Sequence, residues 1–338
     1  MTHRCSVDSV DGKRHVRQRR SPLPLIAVRH VGSTTTRVIV IGAAGNVGRP
    51  LVRALVEAGA HVRALMTHAV KPSDAFPELL PLPAASRLTC ARFDFLDPRT
   101  FDGAFTASPA GGRTSLFLLR PPAISDIDAI APAIDAAVAA GVRDVVFLSI
   151  QGAHHNPLVP HHAIERHLEK LASVHRDLSV TFLRAAFFMQ NLSTTHAADI
   201  RERNEVLVPA GGGRTAFVDA RDVAAAAAVV CTAPRQPSHR VTAYELTGRE
   251  VLTYTEVAAV LSRVLGRSIA YTSPGMVRFY RSMRARGYAR AHVAVMLAVY
   301  TAARVGLAAH QTDDLEHLLG RPPISFERFA EEHTAVWQ

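Results

Sequence analysis

From residue 37 onward the chain alternates short apolar runs with stretches whose apolar residues recur every three or four positions. The runs at 38–41, 61–66, 88–93, 116–119, 145–148 and 180–183 have strand length and few polar breaks, as strands covered on both faces should. Between them, Val47, Leu51 and Leu55, then Ile130, Ile134 and Val138, then Ile164, Leu168 and Leu171 follow helical spacing. Gly59 and Gly141 stand where the first two helices should stop. Pro132 belongs in a first turn or at a kink, and the proline-rich stretch 71–83 reads as a loop. Strand and helix alternating at these intervals predict an α/β fold, a Rossmann-type doubly wound parallel sheet. After Asn191 the pattern loosens. Short strands are expected at 205–208, 215–218, 244–247 and 269–271, with a glycine-rich turn at 209–214. An alanine-rich helix over 222–231 should return to the main sheet, and a further helix spans 255–265. The expected organisation is therefore a nucleotide-binding unit over 37–204, rejoined by 213–233, and a smaller C-terminal α/β unit for substrate over 205–338.

The first strand and helix enclose Gly42, Gly45 and Gly48, spaced G-x-x-G-x-x-G. Such a triplet is weak alone, but a strand before it and a helix after it make a dinucleotide loop. Gly42 makes the tight turn, Gly45 leaves room for a pyrophosphate at the backbone, and Gly48 lets the helix pack on the strand. Pro50 is tolerated only in a first turn, so the helix should begin near Asn46 or Val47, its free N–H groups facing phosphate. Where an NAD site carries an acidic residue on the ribose, this chain has Thr67 and His68, with Lys71 beyond. Without a carboxylate there, NADP(H) is favoured over NAD(H).

Composition adds limits. The 338 residues are 48% hydrophobic and 20% charged, an ordinary globular balance. No apolar run approaches membrane-spanning length, so no membrane partner is expected. Cys5, Cys90 and Cys231 are few, odd in number and far apart, which points to a reducing, cytoplasmic setting without a disulfide framework. The net charge of +10 is uneven. Residues 1–36 carry Arg4, Lys13, Arg14, Arg17, Arg19, Arg20 and Arg29 against Asp8 and Asp11, and read as a disordered basic extension. Arg278, Arg281, Arg284, Arg286 and Arg290 form a second basic group, read as solvated charge. No zinc-finger or aromatic RNA-binding motif accompanies either, so nucleic acid is not an expected partner.

The order of motifs resembles one family, the NmrA-like atypical short-chain dehydrogenases. The matching stretches are Val40-Ile-Gly-Ala-Ala-Gly-Asn-Val-Gly48, Phe147-Leu-Ser149, Phe187-Phe-Met-Gln-Asn191, Phe217-Val-Asp-Ala-Arg-Asp-Val223, Tyr244-Glu-Leu-Thr-Gly248 and Leu319-Gly-Arg-Pro-Pro323. The family includes NAD(P)H-dependent quinone and azo-dye reductases and redox-sensing regulators. The resemblance implies that Asn46 and Val47, with Ala44 in the same loop, join the glycines at the pyrophosphate. It places Thr67 and His68 at the adenosine ribose, and Asp94 and Phe95 by the adenine. It sets Leu118, Leu119 and Arg120 along the nicotinamide ribose, Ser149 at the end of the fifth strand, and Phe187 and Phe188 at the nicotinamide. The chain departs from the family after its sixth strand, where Arg184-Ala185-Ala186-Phe187 lacks a frequent proline.

Short-chain dehydrogenases usually move a proton with Tyr-x-x-x-Lys, whose lysine lowers the tyrosine's pKa. This chain cannot supply that pair. Its lysines are Lys13, Lys71 and Lys170, preceded at four residues by Ser9, Thr67 and Arg166. The corresponding place reads His161-His-Ala-Ile-Glu165, similar to the His-x-x-x-Glu of atypical members. His161, titrating near neutrality, is the expected proton donor, with Glu165 one turn on to orient it or hold it charged. The surrounding histidines lack metalloprotease spacing, so no metal is expected. The expected activity is an NAD(P)H-dependent oxidoreductase acting on a quinone-like or other small acceptor. The alternative is a non-catalytic NADP(H)-sensing regulator that binds another protein.

Overall fold

The computed structural model describes residues 36–106, 112–234 and 240–338; the basic segment 1–35 and the expectation attached to it lie outside them. Six strands rise in chain order: β1 (Arg37–Ile41), β2 (His61–Met66), β3 (Leu88–Arg92), β4 (Thr114–Leu119), β5 (Asp144–Ile150) and β6 (Ser179–Ala185). Three short ones follow, β7 (Phe187–Phe188), β8 (Glu205–Leu207) and β9 (Arg214–Val218), then β10 (Val241–Leu246), β11 (Val251–Thr253) and β12 (Ala270–Thr272). The main sheet has the order β10-β6-β5-β4-β1-β2-β3. Every pairing in it is parallel. The order reverses between β1 and β4, and ligands of open α/β sheets bind outside the strand ends at such a point.

Each β1 residue goes to one face or the other because side chains alternate along a strand. Val38 and Val40 enter one core, with the helices Gly48–Glu57 and Ala220–Thr232. Ile39 and Ile41 enter the opposite core, with Ala131–Ala139 and Pro160–Val174. Such double burial is what leaves a β-branched run with no polar partner in sequence. The alanines of Ala220–Thr232 let that helix lie close against Gly48–Glu57. Its start is held by Asp219, which accepts from the Arg221 amide at 2.8 Å. Asp222 is buried and ties down the C-terminal chain through Arg321 (2.7 Å) and the Ile324 amide (2.6 Å).

A third core gathers residues from 189 onward, including Phe217, Tyr254, Phe279, Tyr300, Phe326 and Trp337. β9 pairs with β11 and β7, and β8 with β12, in small sheets beside it. The seventh strand of the main sheet, β10, comes from the segment read as part of this smaller unit. It pairs in parallel with β6 from Val241↔Val180 to Leu246↔Ala185. The stretch 71–83 is also more regular than its prolines suggest. Pro72 and Pro77 each stand at the start of a short helix, Pro72–Ala75 and Pro77–Leu79, where a missing N–H costs nothing.

Candidate active site

The glycine loop closes the carboxyl end of β1. Gly42 has φ +71°, a conformation that β-carbons disfavour. A β-carbon on Gly48 would stand 2.0 Å from the Gly42 carbonyl oxygen, so only glycine lets the helix start this close to the strand. Gly45 differs: its β-carbon would meet nothing nearer than 3.3 Å, and Ala44, Gly45 and Asn46 are exposed. The fold itself asks less of this position than of Gly48, since a β-carbon would only crowd the Gly42 carbonyl oxygen, whereas a ligand lying on the loop would need the space. The helix begins at Gly48 with Val47 as its cap residue, one or two places later than expected. No side chain caps it and no acidic residue lies in its first turn. Its positive end is therefore open to an anion. Arg49, in that first turn, pairs with Glu78 (2.5 Å) and the Ala75 carbonyl (2.8 Å), joining the loop to the chain beyond β2. Thr67 and His68 are exposed just past the end of β2.

Across the switch point, Leu119 at the end of β4 lies against Gly42. Arg120 follows it. One guanidinium nitrogen, Nη1, donates to the carbonyls of Pro121 (2.9 Å) and Ile124 (2.5 Å), pinning the turn, while Nε is buried with no partner. The cation acts on His161, whose ring stacks on Phe147 with centroids 5.9 Å apart. Burial first, and Arg120 second, push the His161 pKa down to about 4. This corrects the expectation of a histidine titrating near neutrality: at pH 7 the ring is neutral, and its Nδ1 is buried without a partner.

Glu165, one turn further along Pro160–Val174, does not turn to His161. It is buried and takes Ser149 Oγ–H at 2.6 Å, Arg184 Nε–H at 3.0 Å and Arg184 Nη2–H at 2.7 Å. Its carboxylate is engaged by a bidentate arginine and a hydroxyl, so it neither orients nor charges the histidine. Arg184 also faces Glu245 of β10 at 3.5 Å. Burial raises the Glu245 pKa, and Arg184 opposes the rise.

The chain fits the sequence pattern of the NmrA-like family over residues 34–296. The chain belongs to the NmrA-like family. Among its relatives is an NAD(P)H azoreductase of Xenophilus azovorans, 32% identical over 302 residues that cover 89% of this chain and 99% of that one. Two solved structures share the fold. An NADPH-dependent quinone oxidoreductase of Escherichia coli, complexed with NADPH, has a TM-score of 0.70 at 23% identity, covering 87% of this chain and 99% of its own. NmrA itself, a negative transcriptional regulator in complex with NADP, has a TM-score of 0.67 at 18% identity, covering 90% and 96%.

Not every residue that the family resemblance marks has a side chain free for a ligand. Leu118 and Phe95 are buried in the sheet's second core, Phe95 edge-on to Phe93 at 4.8 Å, so only their backbone can face a cofactor. The Ser149 hydroxyl is taken by Glu165. Asp94 is half-buried and accepts from the Leu96 amide at 2.9 Å. Phe187 and Phe188 diverge, as neighbours on a strand must. Phe188 packs against the first core, and Phe187 joins Phe217 and Tyr300, with ring centroids at 5.5 and 5.8 Å. Three contributors escaped the sequence reading: Arg184, Glu245 and Tyr300. A lone arginine ending the apolar run of β6 was the available signal for the first. Nothing local marked the other two.

Proposed function

We propose that this protein is an NAD(P)H-dependent oxidoreductase of the NmrA-like type that reduces a quinone-like or similar conjugated acceptor, with NADP(H) preferred. The glycine loop carries the reading. Gly48 admits no β-carbon, Gly45 is open only on its outer side, and the helix behind them offers unopposed N–H groups to an anion. These residues fit a dinucleotide, with Gly42, Ala44, Gly45, Asn46, Val47 and Gly48 at the pyrophosphate. Thr67 and His68 take the adenosine side, where the absence of a carboxylate suits a 2′-phosphate better than a bare hydroxyl. When bound, the reduced nicotinamide supplies a hydride.

The chain's own residues then have defined tasks. Phe187 and Leu119 give the reacting region apolar walls and exclude water. Arg120 places a fixed positive charge there, stabilising an acceptor oxygen as it becomes anionic. His161, neutral at working pH, offers a ring N–H as hydrogen-bond donor to that oxygen and is itself no general acid. The product of hydride addition to a quinone is a phenolate-type anion, which water protonates; one hydride and one proton complete the hydroquinone. That chemistry needs no Tyr-x-x-x-Lys. The Xenophilus azoreductase, similar over nearly its whole length, favours an enzyme over a regulator. In this reading the unit over 205–338, apart from Ala220–Thr232 and β10, forms the acceptor side through its inward-facing residues, Tyr300 among them.

The test is an acceptor panel with NADPH and NADH, following loss of the reduced cofactor's absorbance, run beside Gly45→Asp. We expect turnover of quinones, poor oxidation of simple alcohols with NADP⁺, and at least about a hundredfold weaker NADPH binding by the folded variant. Such a loss corresponds to about 2.7 kcal/mol. Unchanged binding by Gly45→Asp would remove the site. Tight cofactor binding without turnover of any acceptor would make the protein a regulator.

A further inference from the structure

No aspartate or glutamate stands between Glu256 and Asp313, while eight arginines do. The same stretch carries six of the ten large hydrophobic side chains exposed among the described residues: Met276, Val277, Val295, Val299, Val305 and Leu307. They lie on two adjacent helices, Met276–Ala285 and Arg290–Arg304, and the chain just beyond. Inward, these helices bury Phe279, Met283, Val293, Met296 and Tyr300 in the third core. Outward, Val295 and Val299 project one turn apart, with the exposed Ala291, Ala294 and Ala298 beside them. Leu307 is 74% exposed and Val277 66%. Of the arginines, Arg278, Arg281, Arg290 and Arg304 are exposed and form no ion pair among the described residues. Arg286, by contrast, is held by Asp199 at 2.6 Å.

We infer that this face docks on an anionic lipid surface. Interleaved aliphatic side chains and free guanidinium groups, with no carboxylate in that stretch of chain, match the boundary between acyl chains and anionic headgroups. A nucleic acid would neutralise the arginines but leave Val295, Val299 and Leu307 in water. A second copy would bring arginines against arginines. The contact lies on the membrane rather than across it: among the described residues no helix is long and apolar enough to span one. Under this inference the basic group is more than solvated charge, and a membrane surface, not expected from the sequence, becomes a partner.

The face is tied to the candidate site through the packed interior and the chain beyond the second helix. Tyr300, on the inner side of Arg290–Arg304, meets Phe187 at 5.8 Å. The His310 carbonyl, three residues past Leu307, accepts from Gln151 Nε2 at 2.9 Å, just beyond the carboxyl end of β5. Docking therefore sets the mouth of the site near the bilayer, where a lipophilic acceptor resides. That delivery rests on the proposed quinone-like acceptor; the docking does not.

The experiment is co-sedimentation of the full chain with phosphatidylcholine vesicles, with and without phosphatidylglycerol, at low and high salt. Wild type should sediment with the anionic vesicles, less at high salt, and stay in solution with the neutral ones. V295D/V299D and R281E/R290E should each lower partitioning roughly tenfold or more. Both should reduce a short-chain, water-soluble quinone at the wild-type rate. Failure of wild type to bind anionic vesicles at low salt overturns the inference. So does wild-type binding by both variants, which would assign it to another basic segment. Concentration-dependent dimerisation lost in V295D/V299D, with vesicle binding unchanged, would make a second copy the occupant. Vesicle binding without turnover of any quinone would sink the proposed activity and leave the docking standing.

Discussion

His161 and Glu165 stand one turn apart on the same helix and meet opposite fates. Glu165 is saturated: a bidentate arginine and a serine hydroxyl satisfy it. His161 is half-buried and neutral, keeps an unpartnered Nδ1, and feels the charge of Arg120, whose Nε also lacks a partner. A buried polar group that finds its partners within the chain is scaffold; one that does not is either a cost to the fold or a place for something else. The carboxylate that sequence spacing assigned to the chemistry belongs to the frame, and the histidine keeps a ring nitrogen unsatisfied by the chain.

The largest effect should follow from breaking the saturated half. Glu165→Ala would leave Arg184 buried with only Glu245 at 3.5 Å. Loss of one partner of a buried pair costs about 3–5 kcal/mol. Chemical denaturation should read that loss, while NADPH affinity of the folded fraction stays near wild type. Intact stability with lost turnover would move Glu165 back into the chemistry.

Acid should then act on the histidine half. His161, and the fully buried His196 that bonds the Tyr300 hydroxyl, both have pKa values lowered to about 4, burial being the first cause. The unfolded chain takes up these protons near pH 6.5, the folded one only near 4, so each histidine favours unfolding as pH falls through that window. Each shift corresponds to roughly 3 kcal/mol, present above pH 6.5 and gone by about pH 4. Melting temperature against pH should fall there, and less steeply in His161→Gln. A flat profile would mean that the ring is hydrated and charged.

The smallest effect is catalytic. His161→Gln keeps a donor amide but loses the ring, and we expect roughly tenfold slower quinone reduction, about 1.4 kcal/mol, with NADPH affinity unchanged. Because the histidine is neutral well above pH 5, turnover should show no histidine titration between about pH 6 and 8. An unaffected variant would leave the ring to packing against Phe147.

Much of this molecule was written locally. Strand β1, the turn at Gly42, the helix starting at Gly48 and the parallel order of the first six strands follow from side-chain period, positive φ and chain spacing, which are properties of neighbours in sequence. The Asp219 cap, bonded to an amide two residues on, is local in the same sense. Other features depend on partners far along the chain. That Val241–Leu246 extends the main sheet is settled by its register with β6, across more than fifty residues of intervening chain. That Ser149 and Glu165 close on each other is settled by Arg184, brought beside them because β5 and β6 are adjacent. Burial then decides charge: the same imidazole that titrates near neutrality in water is neutral beside Phe147 and Arg120. A sequence states which groups can carry charge or hydrogen bonds; only the packed structure decides how many partners each one finds, and a group's partners set what it can do.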